Sequence, residues 1–254
     1  MKVRLMSDLH LDFRYMHYRW LGEDVLVLAG DIGEGISGVT WLEEELQSTI
    51  KENRPKHVIY VAGNHEFYGG DIQEVLANLK SACGSAGFYF LENSNLAVDG
   101  VNFVGATLWT DYNLYQNEYR AKLVAQSMMN DFRQITFEGR KLSPDDIQQI
   151  HQGSVASIIK NCSEGTRRGL RNVVITHHLP TEKATSSKYW GSSLNPAFAS
   201  DLEWIIQDQD IVYWLCGHSH TRKTEKVYDT TVEVNPRGYP GELTYFVPDL
   251  ILEV

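Results

Sequence analysis

Five short apolar runs in this chain end in residues that contribute nothing to a core. Val58-Ile59-Tyr60-Val61 leads into Gly63-Asn64-His65-Glu66, Val3-Arg4-Leu5-Met6 into Asp8-Leu9-His10, and Val25-Leu26-Val27-Leu28-Ala29 into Gly30-Asp31. Val173-Val174-Ile175-Thr176 leads into His177-His178, and Ile211-Val212-Tyr213-Trp214-Leu215 into Gly217-His218-Ser219-His220. Asp8, Asp31 and Asn64 offer oxygen donors, while His10, His177, His218 and His220 offer imidazoles. Mixed oxygen and nitrogen donors suit Mn, Fe, Zn, Ni or Co, and the lack of cysteine in the set argues against a thiolate zinc site. Seven donors exceed what one ion takes, whereas two ions sharing a carboxylate would use them all.

Each string alone has a plainer reading. Asp8-Leu9-His10 could be turn chemistry beside a surface histidine, Gly30-Asp31 an ordinary strand exit, and Gly63-Asn64 a hairpin turn. His218 and His220, two apart, point the same way from an extended segment, toward a shared site or toward solvent. His17, His57 and His151 belong to no such string and read as structural.

The elements that must position these residues follow from periodicity. Strands are expected at Val3–Met6, Val25–Ala29, His57–Val61, Val173–Thr176 and Ile211–Leu215. Helical spacing over Thr40–Lys51 and Asp71–Cys83 gives two helices that pack on a sheet. Phe88–Leu91, Asn95–Val98 and Val101–Thr107 read as antiparallel hairpins, forming a second sheet or an extension of the first. Residues 111–171 form a mainly helical excursion, a lid or an outer layer, with helices at Gln116–Asn130 and from Ser143-Pro144-Asp145-Asp146 to about Asn161. Pro196–Gln207 reads as helix, Thr224–Val234 as an edge hairpin, and Leu250–Val254 as a strand that closes a sheet. Phe13–Trp20 shows no clean period.

With 254 residues, 43% hydrophobic and 22% charged, the chain suffices for one large domain, expected to span 1–254. A net charge of -10 opposes electrostatic capture of nucleic acid or anionic lipid. Cys83, Cys162 and Cys216 form no pairing motif, and no apolar run reaches membrane-spanning length, so a cytoplasmic protein is expected. Oligomeric state is not legible.

The ordered blocks D-x-H, GD, GNH, H and GH-x-H resemble the calcineurin-like metallophosphoesterase family. The resemblance implies an α/β metallophosphoesterase-type sandwich of two mixed β-sheets flanked by helices. It further implies that Asp8, His10 and His220 hold one metal, that Asn64, His177 and His218 hold the other, and that Asp31 bridges them. Mn or Fe would be the first choices, with Zn, Ni or Co accommodated. Two cations about 3.5–4 Å apart would generate a bridging hydroxide and stabilise in-line displacement at phosphorus. His65, outside the ligand set, would protonate the leaving group.

For the substrate, the resemblance separates several readings. Ser/Thr protein phosphatases of this superfamily carry arginines beside their GD and GNHE blocks, and neither stands here, which removes a phosphate clamp. Hydrolases of lipid A precursors have an arginine where His65 stands. Repair-type nucleases share the blocks, but the acidic balance counts against one. A phosphodiesterase or broad phosphoesterase acting on a small or nucleotide-like substrate is the better fit. A non-catalytic scaffold of the same fold would not need the retained ligands. Trp109, Tyr112, Tyr189, Trp190 and Arg222 lie near the motif segments and could stack on a base or hold phosphate, or could simply pack. Asn64 and His178 could also touch substrate, and His178 could instead support the metal ligands. Glu66 could orient His65 or a ligand, or cap the next segment.

Overall fold

The computed structural model describes every residue from Met1 to Val254. In chain order, β1 (Lys2–Met6) and β2 (Val25–Ala29) are followed by α1 (Ser37–Gln47), β3 (His57–Val61), α2 (Ile72–Ala86) and β4 (Tyr89–Phe90). β5 (Ser94–Val98) and β6 (Val101–Ala106) form a hairpin. The excursion contains α3 (Glu118–Met128), α4 (Asp131–Gln134), a small ladder of β7 (Thr136–Phe137) and β8 (Arg140–Lys141), and α5 (Pro144–Arg167). β9 (Arg171–Thr176), α6 (Glu203–Asp208), β10 (Ile211–Cys216), β11 (Lys223–Val227), β12 (Thr230–Val234) and β13 (Ile251–Glu253) complete the chain.

Two mixed sheets result, in the orders β13-β1-β2-β3-β4 and β11-β12-β10-β9-β6-β5. Alternation within each strand sorts its side chains into layers. Val3, Leu5, Val25, Val27, Ile59 and Val61 of the first sheet meet Val101, Phe103, Val173, Ile175 and Leu215 of the second in a shared core. The opposite face of the first sheet, through Leu26, Leu28, Val58 and Tyr60, packs on Trp41 and Leu42 of α1 and Val75 and Leu79 of α2. The outer face of the second sheet, through Val104, Val174, Trp214 and Val232, packs on Ile158 of α5 and Ile205 of α6. Burying each such side chain stabilises the fold by about 1.5–3 kcal/mol. The expected sandwich is therefore the observed one.

The expected start of α5 is observed, and α2 runs past Cys83 to Ala86. The Ser143 side chain caps α5 in a capping box with Asp146, and Pro144 starts the helix. Asp71 caps α2, and Gly87 ends it with a left-handed φ of 75°. Elsewhere the structure corrects the sequence reading. Tyr89–Phe90 pairs parallel to β3 instead of entering a hairpin. The helix expected over Pro196–Gln207 is a single turn at Asn195–Ala197 followed by short α6. Leu179 and Ser200 draw the intervening chain into an extended bridge, with Leu179 N–H on the Phe198 carbonyl at 3.1 Å and Ser200 N–H on the Leu179 carbonyl at 3.1 Å.

Candidate active site

The carboxyl ends of β1, β2, β3, β9 and β10 deliver the residues singled out by the sequence, the place where open α/β sheets gather their ligands. Strand ends alone would send these side chains in different directions. The backbone corrects this by turning left-handed at Asp8, His10, Asp31, His218 and His220. Close approach of neighbouring loops does the rest. A Cβ on Gly30 would lie 2.5 Å from the His177 ring and 2.6 Å from Gly63 N, and one on Gly63 would collide with the Asp31 carboxylate.

The donors fall into two groups that share Asp31. In the first, Asp8, His10, Asp31 and His220 bring ligand atoms within 4.8 Å of one another, and Asp31, His177 and His218 do the same in the second. His10 Nε2 faces His220 Nε2 at 3.0 Å, and His177 Nε2 faces His218 Nδ1 at 3.2 Å and Asn64 Oδ1 at 3.2 Å. Asp31 Oδ2 lies 3.4 Å from His177 Nε2 and 3.8 Å from His10 Nε2. His177 is oriented by its Nδ1–H, which donates to the Ala29 carbonyl at 3.0 Å. His220 Nδ1 is held by Glu242 at 2.7 Å. Buried ring nitrogens brought together at contact distance, beside two buried carboxylates, are the donor set a divalent cation accepts. The residues fit the metal chemistry their types suggest.

Electrostatics agree. Burial pushes the His220 imidazole down, but hydrogen bonding and charge from Asp8, with Glu242 beyond it, raise it to about 9. Burial likewise opposes charge on His177, yet the Asp31 and Asp8 carboxylates lift it to about 10. Burial instead pushes the His10 imidazole down to about 4 and holds His218 well below the ordinary value, so these two rings stay neutral with lone pairs free for a cation.

Asp131, Tyr68, Tyr239 and Glu242 support the site without having been singled out in the sequence, whereas Glu66 was. Asp131 accepts from the Asn64 amide at 2.9 Å and from the Tyr68 hydroxyl at 2.9 Å, which leaves Asn64 Oδ1 pointing inward. Glu66 acts as a clasp, receiving N–H groups of Asp31 (2.9 Å), Ile32 (2.8 Å) and Gly63 (2.7 Å) and the Tyr60 hydroxyl (2.9 Å). It therefore joins the two loops that carry Asp31 and Asn64 and does not contact His65 through its carboxylate. The Tyr239 hydroxyl meets His65 Nε2 at 2.8 Å. A Pro- and Gly-rich loop directly after β12 was the available signal for Tyr239 and Glu242.

A cleft of about 430 Å³ opens over the donors, lined by Asp31, Asn64, His65, His218, His220 and Tyr239, and walled by Met128, Met129, Tyr189, Leu194 and Phe198. Of the substrate-contact candidates, Asn64 and Tyr189 line it. Trp109, Tyr112, His178 and Arg222 do not. Trp109 and Tyr112 are 2% exposed, buried in the core that also holds Ala121 and Ala125 of α3. His178 is buried, its Nδ1–H donating to the Thr107 carbonyl at 3.3 Å and its ring packed between Trp109 and His218. This places its ring against His218 and away from the lining of the cleft. Arg222 turns to the buried carboxylate of Glu233 at 3.4 Å, and Trp190 donates to the Glu182 carbonyl at 3.2 Å from the surface.

Residues 1–222 match the family model described as calcineurin-like phosphoesterase. The chain belongs to that family, and it is a hydrolase of the metallophosphoesterase class. A protein of Acanthamoeba polyphaga mimivirus, itself uncharacterized, is 25% identical over 283 residues, with 99% of this chain and 96% of that one covered. The crystal structure of phosphopantetheinyl hydrolase from Mycobacterium tuberculosis superposes with a TM-score of 0.71 at 17% identity, covering 94% of this chain and 90% of that one. The latter likeness is one of fold.

Proposed function

We propose that the protein is a dinuclear metal-dependent phosphoesterase, with Asp8, His10, Asp31 and His220 holding one divalent cation and Asp31, Asn64, His177 and His218 the other. The observation that carries this reading is that Asp31 belongs to both donor groups. When bound, the cation pair would polarise the phosphoryl group and supply an attacking oxygen from solvent at neutral pH. Mn or Fe are the proposed ions, with Zn, Ni or Co also suited to a donor set that has no thiolate and mixes oxygen with imidazole.

The chain's own residues supply the rest. Asp31 bridges the two ligand groups, while its Oδ1 accepts the His65 backbone N–H at 2.9 Å and so ties the bridge to the proton donor. His65, with Nε2 toward the cleft, gives its proton to the departing oxygen. Asn64, fixed by Asp131, offers Oδ1 to the second cation.

A small or nucleotide-like phosphodiester is the proposed substrate. No Lys or Arg is among the 18 residues lining the cleft, and Glu242 adds negative charge beside the His220 imidazole, so a multiply charged phosphate group finds no guanidinium or ammonium clamp. A singly charged diester with an apolar arm suits the wall of Met128, Met129, Leu194 and Phe198. Residues 111–171 act within one catalytic unit by providing part of that wall. No helix is long and apolar enough to cross a membrane, and three buried free cysteines agree with a reducing cytoplasm.

The test is turnover of bis(p-nitrophenyl) phosphate against p-nitrophenyl phosphate with Mn or Fe present and after chelation. Metal-dependent hydrolysis favouring the diester is expected. No turnover of either ester with metal supplied would instead indicate a scaffold. A panel of cyclic nucleotides, dinucleotides, glycerophosphodiesters, phosphopeptides and phosphopantetheine diesters then selects the substrate.

A further inference from the structure

The loop after β12 lies beyond the residues matched by the family model, yet it reaches the centre of the site. It is anchored on the segment that follows β1. Arg237 N–H donates to the Ser7 carbonyl at 3.0 Å and Gly238 N–H to the Asp8 carbonyl at 2.9 Å. The Arg237 guanidinium spans the carbonyls of Leu9 (2.9 Å), Arg14 (2.7 Å) and Tyr15 (3.0 Å). Tyr239 N–H donates to Glu242 Oε2 at 2.8 Å, the same oxygen that holds His220. These contacts lay the Tyr239 ring on His10, with centroids 4.3 Å apart and planes 28° from parallel. The hydroxyl then falls 2.8 Å from His65 Nε2.

That hydroxyl matters because His65 has little else to fix its ring. Its Nδ1 is buried without a hydrogen-bond partner, Asp31 Oδ2 stands 3.9 Å from Nε2, and the remaining side-chain neighbours are aromatic faces. Ring rotation or a small tilt would carry Nε2 away from a departing oxygen. We infer that Tyr239 is a positioning residue for His65: its hydroxyl accepts from Nε2–H, holds that nitrogen at the leaving-group side of the cleft, and yields the proton to the departing oxygen as that oxygen gains charge. The inference rests on the proposed function. A displacement of about 1 Å in a reacting group can cost about 100-fold in rate, so one hydrogen bond is enough to be read kinetically. The competing view is that Tyr239 only packs over His10.

Tyr239→Phe separates the two, because it keeps the ring and its stack while deleting the hydroxyl. The variant is compared with the native chain, and Tyr239→Phe/His65→Ala with His65→Ala, on a p-nitrophenyl diester and on a diester with an alkyl leaving group. Metal content is measured by elemental analysis. The expected result is a loss of kcat/KM on the alkyl ester at least about tenfold greater than on the p-nitrophenyl ester, with bound metal unchanged and little further loss in the His65→Ala background. Equal losses on the two esters, the same loss with or without His65, or depleted metal would overturn the inference. A native enzyme lacking metal-dependent turnover would sink the proposed function together with it. An active native enzyme indifferent to Tyr239→Phe would sink this inference alone.

Discussion

At Asp8, His10, Asp31, His218 and His220 the backbone φ is 51°, 45°, 54°, 67° and 45°, a conformation that non-glycine residues adopt at a cost of order 1–3 kcal/mol each. Five such residues converging on one point indicate strain tolerated for the sake of the site. Removing the shared carboxylate tests it: Asp31→Asn is expected to bind less metal by elemental analysis, and full occupancy would contradict the bridge. His65→Ala should keep its metals and lose about 100- to 10,000-fold on an alkyl ester, because protonation matters most when the leaving group is poor. Asp131→Ala frees the Asn64 amide to turn, so metal affinity by titration calorimetry should weaken about 10- to 100-fold. The convergence of Asp8, His10, Asp31, Asn64, His177, His218 and His220 was legible because Asp, Asn and His at the ends of apolar runs have no use in a core. Asp131, Tyr239 and Glu242 were not, since each acts across a distance in sequence that periodicity does not encode. For Trp109 and Tyr112 the packing alternative is the one observed, as large side chains near a motif more often fill volume than meet ligand.

Among the elements, α5 shows what local signals can and cannot determine. Its start was readable from Ser143-Pro144-Asp145-Asp146, but its last turns depend on distant partners: Gly165 passes so close to Asn102 and Asn172 of the second sheet that a Cβ there would collide with both amides. Ser143→Ala should cost about 1 kcal/mol through the lost cap, a fall of about 2–4 °C in Tm by calorimetry for a chain of this size. Arg140 and Ser143 hold the Asp146 carboxyl down at about 2 against an ordinary 3.8. A depressed carboxylate contributes its stability in full above the ordinary value and loses it as pH falls through the folded one. The Tm difference between the native chain and Asp146→Asn should thus be constant near neutrality and shrink between about pH 4 and pH 2. A gap that widened on acidification would reverse the assignment.

For the whole molecule, two sheets share one apolar interior while five strand ends bring their polar side chains into one cluster. Layer number could not be read from periodicity because β2 is buried throughout, which erases the inside-outside alternation. The same architecture explains how candidate donors spread from residue 8 to residue 220 come together, and why the excursion over 111–171, far from the motifs in sequence, supplies Met128 and Met129 to the cleft. Anomalous diffraction from crystals grown with manganese tests the central claim most directly. The expected result is two peaks, each touching the Asp31 carboxylate, one beside Asp8, His10 and His220 and the other beside Asn64, His177 and His218. A single peak, or peaks remote from Asp31, would contradict a shared dinuclear centre.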